Sequence, residues 1–276
     1  MKRRFDRMKW KTLLALGMTA VFAAAFVTGC GGTGKAVKDG SSAGNETIIV
    51  GLDDNFPPMG FKDENNEITG FDVELAKEAS KRLGREVEFK AIDWASKEAE
   101  LKSGRVNVLW NGLDITEKRK ENMIFSDPYM ENRQIIFVRK GTQGITDEKS
   151  LAGKAVGTQS ASTAEEYMDK SDFFKNEVKE VKKYSDFVTA FMDLENGRLD
   201  AVVGDEIVGR YYMSKHPEAI EAVDSAVGPV SDFGIAFAKD DQKLRDAVQK
   251  VIDEMKQDGT MAKISEKWFG KDITKK

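Results

Sequence analysis

Apolar residues recur along this chain in two alternating rhythms. The runs Thr47–Leu52, Val87–Ile92 and Val106–Trp110 have the length and composition of buried strands. Between them, Phe71–Leu83 and Ala95–Leu101 carry apolar side chains at the three- and four-residue spacing of helices. Alternation of this kind predicts βαβ units around a largely parallel sheet. Near the end a strand-like Phe233–Ala238 leads into an amphipathic helix over Asp241–Gln257, and a shorter helix runs through Trp268. The chain beyond residue 46, about 230 residues, is long enough for two modest cores.

A short internal echo sharpens this picture. Leu101-Lys102-Ser103-Gly104-Arg105-Val106-Asn107-Val108 resembles Leu194-Glu195-Asn196-Gly197-Arg198-Leu199-Asp200-Ala201, each a helix end, a glycine stop and a strand start. Either these are two ordinary αβ corners or two lobes share one plan. On the second reading, residues 47–131 plus 232–276 form lobe 1 and residues 132–231 form lobe 2. The two crossings, near Met130–Gln134 and Val230–Asp232, make a hinge. Asn111-Gly112 and Gly204-Asp205 then occupy equivalent loops at the carboxyl ends of strands, where ligands bind in open α/β sheets.

The first 29 residues follow another rule. Lys2, Arg3, Arg4, Arg7, Lys9 and Lys11 precede an uncharged apolar run from Leu13 to Val27. That run is shorter than the roughly 20 residues a membrane span needs and reads as a secretory signal. It ends in Val27-Thr28-Gly29-Cys30, which resembles a lipobox, so Cys30 is the expected lipidation site and membrane anchor. Cys30 is the single cysteine, which excludes an intrachain disulfide and a thiolate metal cluster. Gly31–Glu46, with five glycines and two serines, reads as a flexible tether.

Charge narrows the partners. Six basic residues and Asp6 leave with the signal, which turns 43 basic and 47 acidic side chains into 37 and 46 and makes the remainder net −9. That balance argues against nucleic acid or an anionic bilayer as the main partner. His216 is the single histidine, before Pro217 at an expected helix end, so neither a Ser-His-Asp arrangement nor a histidine-rich metal site is indicated. No metal and no cofactor is expected.

Several ordered motifs carry a resemblance: Gly51 to Phe61; Gly70-Phe71-Asp72-Val73-Glu74-Leu75-Ala76; Asp114-Ile115-Thr116-Glu117-Lys118-Arg119 followed by Phe125-Ser126-Asp127-Pro128-Tyr129; Gly157 to Tyr167; and Asp258-Gly259-Thr260 to Phe269. Over residues 47–270 the chain resembles the polar amino acid subgroup of the solute-binding proteins of ABC transporters. The resemblance implies a two-lobed α/β fold of the type II periplasmic-binding-protein kind. It also implies capture of a free amino acid in the cleft, delivery to a membrane permease, a position outside the cytoplasmic membrane and a monomeric state.

A free amino acid carries a carboxylate and an ammonium, and taking both from water requires a partner for each. The resemblance implies that Arg119 grips the α-carboxylate and Asp205 meets the α-amine. From composition alone, Arg119 equally suits a solvated charged run over Glu117–Glu121, and Asp205 equally suits a helix N-cap. Ser162 and Thr163 match positions that hold the carboxylate from lobe 2, or else form a plain cap. Ala164 departs from relatives with a polar residue there. Phe56 and Trp94 match aromatic faces around the ligand side chain, with core packing as the alternative. Asp114 stands where many relatives have serine or threonine, and Asp53 matches an acidic position that meets the distal cation of basic amino acids. The placement of Asp53, Asp114, Asn111 and Trp94 is expected to set specificity, with the extra acids tilting toward a basic or polar ligand. Two other functions share the pattern: a dehydratase working in the same cleft, and a sensor acting through a partner chain.

Overall fold

The computed structural model describes residues 47–276; the signal, Cys30 and the tether lie outside the described residues. From β1 (Ile48–Leu52) the chain makes a small antiparallel sheet of β2 (Asn55–Phe56), β3 (Gly60–Lys62) and β4 (Ile68–Thr69). Then follow α1 (Phe71–Leu83), β5 (Val87–Ala91), α2 (Lys97–Lys102), β6 (Val108–Asp114), α3 (Glu117–Lys120), β7 (Met123–Phe125) and β8 (Met130–Asn132). A second unit comprises β9 (Gln134–Arg139), β10 (Ala155–Gln159), α4 (Thr163–Met168), α5 (Asp172–Asn176), β11 (Glu180–Tyr184), α6 (Phe187–Glu195), β12 (Ala201–Asp205), α7 (Glu206–Lys215) and β13 (Ile220–Ala226). Finally β14 (Ser231–Ala238), α8 (Gln242–Gln257) and α9 (Thr260–Phe269) rejoin the first unit.

The two main sheets repeat one topology. The first runs β5-β1-β6-β14-β7, with β8 also on β14, and the second runs β11-β10-β12-β9-β13. Three strands in each are parallel, and the fourth, β14 or β9, is antiparallel and reaches its sheet from the other lobe. The internal echo is real in three dimensions. Gly104 and Gly197 both turn with positive φ, 73° and 74°, four residues before β6 and β12 begin. Val50 and Gly51 of β1 pair with Val108 and Leu109, as Val156 and Gly157 of β10 pair with Ala201 and Val202.

The crossings are short. Only Arg133 separates β8 from β9, and β13 leads to β14 through residues 227–230. β8 and β14 hydrogen-bond to each other, Ser231 opposite Asn132 and Phe233 opposite Met130, so the two chain passages act as one ribbon. Helices α1, α8 and α9 cover the first sheet, α8 burying Leu244, Val248, Val251, Ile252 and Met255 on one face.

Two local expectations need correction. Residues 94–101 are not one helix: Asp93 caps a 3₁₀ turn over Trp94–Ser96 before α2 begins. The sites expected as loops are strand ends instead. β6 extends through Asn111-Gly112 to Asp114 and β12 through Gly204-Asp205, because β14 and β9 lend them partners that only the return of the chain supplies.

Candidate functional site

Arg119 lies on α3, a single turn whose cap fixes its direction. Thr116 is extended, and its hydroxyl accepts from the Arg119 N–H at 3.2 Å. Arg119 is turned inward and is 1 % exposed, which rules out the solvated charged run for it. Nη1 donates to the Asp114 carbonyl at 2.9 Å and to Thr163 Oγ1 at 3.2 Å. Nη2 donates to the Ala161 carbonyl and to Glu166 Oε1, both at 3.3 Å. Thr163, Ala161 and Glu166 belong to the second lobe, so one arginine of the first lobe holds both. Its Nε–H is buried and meets no acceptor among the described residues.

Asp205 stands in the N-cap position of α7, yet its side chain does not cap. Asp205 Oδ1 accepts from Gln134 Nε2 at 2.8 Å and also from Asn132 Nδ2. The same Asn132 amide donates to Asp114 Oδ1 at 3.0 Å, and Ser231 Oγ donates to that oxygen at 2.6 Å. Two buried carboxyls, one from each lobe, therefore share an amide of the hinge ribbon. Burial, reinforced by the charge of Asp114, pushes Asp205 up to about 7. Burial raises Asp114 as well, against the opposing pull of Arg119.

Aromatic rings complete the wall. Phe56 is buried and its ring lies 6.2 Å from that of Phe187 in the second lobe. Gly112, at φ 55°, sits beneath it, and a Cβ there would come within 2.7 Å of Phe56 Cε1, so only glycine fits. The Gly112 N–H is not available to a ligand, because it donates to Asp72 Oδ2 at 2.7 Å. Asp72 also accepts from Tyr129 Oη at 3.0 Å, and burial raises it to about 7. Trp94 is buried, with the Lys97 Nζ 4.9 Å from the centre of its ring.

These groups close around a nearly filled cavity of about 10 Å³. The first lobe contributes Phe56, Trp94, Gly112, Asp114 and Arg119, and the second contributes Gln159, Ser162, Thr163 and Asp205. Asp53 and Asn111 stand one layer back instead of on the wall. Gln159, which lines the cavity, donates through Nε2 to Asp53 Oδ2 at 2.6 Å, while Asn111 Oδ1 accepts from the Asp53 N–H at 3.0 Å. Burial raises Asp53 to about 7. Ser162 both lines the cavity and caps α4, its Oγ accepting from the Glu165 N–H at 3.1 Å.

Sequence reasoning missed Gln159, Asn132, Glu166 and Lys97. Gln159 lies inside a motif that was singled out, so its place was signalled. Lys97 shares a face with Trp94 and Leu101, and a lysine at an apolar position of a helix is itself a signal. Glu166 lies in the same motif as Gln159, and Asn132 gave no signal. His216 ends α7 as expected and stacks on Tyr212, ring centres 4.3 Å apart. Among the described residues, no group of three His, Cys, Asp or Glu could hold a metal, and no helix is long and apolar enough to cross a membrane.

Known proteins are similar in sequence and fold. The L-cystine-binding protein TcyJ of Escherichia coli is 34 % identical over 230 residues, 83 % of this chain and 85 % of that one. An ancestral arginine-binding protein, solved bound to arginine, is 42 % identical with a TM-score of 0.76 over 81 % of this chain and 98 % of its own. A substrate-binding protein of an ABC uptake transporter from Streptococcus pneumoniae, solved with bound histidine, is 32 % identical with a TM-score of 0.79 over 83 % and 95 %. The family in question binds solutes, which sets the dehydratase alternative aside. By the match of residues 48–271, the chain belongs to the bacterial extracellular solute-binding proteins, family 3.

Proposed function

We propose that the cleft captures a free amino acid with a polar or cationic side chain and delivers it to an ABC permease. Arg119 takes the α-carboxylate, using its unpaired Nε–H and an Nη2 whose present bonds are long, with Thr163 and Ser162 beside it. Asp205 and Asp114 take the α-ammonium between them. Phe56 and Trp94 enclose the side chain, and Asp53, released from Gln159, offers a carboxylate to a distal cation. The observation that carries this reading is one small cavity, walled by both lobes, that holds a guanidinium and a pair of carboxyls. A zwitterion satisfies both poles at once, which an anion or a cation alone does not.

The protein acts as a monomer on the outer face of the membrane, anchored through a lipid on Cys30. The lobes are residues 47–131 plus 232–276 and residues 132–231, and the ligand is held where they close. Thermal-shift and calorimetric screening of the twenty amino acids with cystine and ornithine tests the capture. Binding of arginine, cystine, histidine or another polar amino acid is expected, and a protein that binds none breaks the proposal. Mass spectrometry of the membrane fraction tests the anchor: Cys30→Ser should release the protein, and its retention would remove Cys30 from the scheme.

A further inference from the structure

Lys97 is 3 % exposed, at the first position of α2, on a face otherwise occupied by Trp94 and Leu101. An apolar side chain there would avoid both the loss of rotamer freedom and the desolvation of an amine. What the lysine gains lies across the cleft. Nζ donates to the carbonyl of Ala161 in the second lobe at 2.9 Å and to the Trp94 carbonyl at 3.3 Å, and rests over the Trp94 ring.

The acceptor is specially presented. Ala161 has φ 55°, the left-handed region that a side chain disfavours, and its N–H is held by Glu165 Oε2 at 2.5 Å. Its carbonyl takes Lys97 Nζ and Arg119 Nη2 together, so two basic groups of one lobe converge on one oxygen of the other. Ser162 and Thr163 follow immediately. Arg119 and Gln159, which also bond across the cleft, line the cavity; Lys97 does not.

We propose that Lys97 is a latch: a positioning residue that holds the lobes closed and lengthens ligand residence without touching the ligand. It rests on the reading of the cleft as an amino acid site. By tying Ala161 down it fixes the two hydroxyl residues behind it, and by sitting on Trp94 it fixes the aromatic wall. Opening the cleft must break the Lys97–Ala161 bond, so its loss falls on dissociation more than on association.

Stopped-flow and calorimetry with L-arginine, L-cystine and L-histidine on wild type, Lys97→Met and Lys97→Arg test this. Lys97→Met should raise the dissociation rate roughly tenfold, as loss of a hydrogen bond to a charged group implies, with association and the ranking of the three ligands unchanged. Lys97→Arg, which keeps a donor, should recover part of the loss. An unchanged dissociation rate in Lys97→Met overturns the latch, and so does an altered ranking, which would mean direct contact with the ligand. If wild type binds none of the three, the test passes to the unliganded protein. Fluorescence transfer between dyes on the two lobes then decides the latch alone: a more open Lys97→Met supports it and identical distances overturn it.

Discussion

The two charged poles of the cavity are built differently. At the basic pole, one guanidinium already has partners from both lobes: two carbonyls, a hydroxyl and the carboxylate of Glu166. At the acidic pole, two carboxyls stand together with only neutral donors, Asn132, Gln134 and Ser231, between and around them. The basic pole has a carboxylate bonded to it and the acidic pole has no cation bonded to it among the described residues. A cation entering the acidic pole therefore gains more than an anion entering the basic one, while Arg119 joins the lobes and, on the proposed reading, also binds.

The largest effect should come from removing the residue with both duties. Arg119→Ala is expected to weaken binding by roughly 3–5 kcal/mol, the scale for breaking a buried charge pairing, as read by calorimetry. Wild-type affinity in that variant would dissolve the comparison. Asp114→Asn removes one of two carboxylates and should cost about 1.5–3 kcal/mol, the range for a hydrogen bond to a charged group. A loss as large as that from Arg119 would show that Asp205 contributes little.

The acidic pole should also make affinity depend on pH. Asp205, raised to about 7, holds its proton below that value, and a seated ammonium favours the ionised form. Binding below about 7 then releases a proton, so affinity climbs with pH by up to about tenfold per unit and levels off above 7. Calorimetry in buffers of different ionisation enthalpy would measure the release, and Asp114→Asn should flatten the slope. A flat profile in the wild type would mean that the pair is not recharged by the ligand.

The smallest effect sharpens the aromatic side. A Cβ at Gly204 would lie 2.3 Å from Phe187 Cε1, so Gly204→Ala should overpack and cost about 1–3 kcal/mol of stability in thermal melts. Because Phe187 faces Phe56 across the cleft, affinity should fall with it, by less than for either charged variant. A gain in stability would show that the ring moves freely aside.

Much of the fold was legible. The alternating periods marked the βαβ units, and the Leu101–Val108 and Leu194–Ala201 echo marked equivalent corners, because glycine stops and apolar runs are local signals. Arg119, Asp205, Phe56 and Trp94 were implied by the resemblance, and the structure gathers all four around one cavity. Asn132 was not: an asparagine in a short edge strand has no local signature, and its part comes from β14 returning beside β8. Asp53 and Asn111 were expected to set specificity, but neither lines the cavity; Gln159 of the other lobe does, and it bonds Asp53.

The sequence by itself determined most of the elements and the two-lobed plan, since each follows from neighbours a few positions apart. The tertiary structure decided which residues meet. Charges separated by dozens of positions become partners only when two lobes close, and burial, not sequence, then raises Asp205 and turns Asn132, Gln159 and Lys97 from ordinary polar residues into parts of one enclosure.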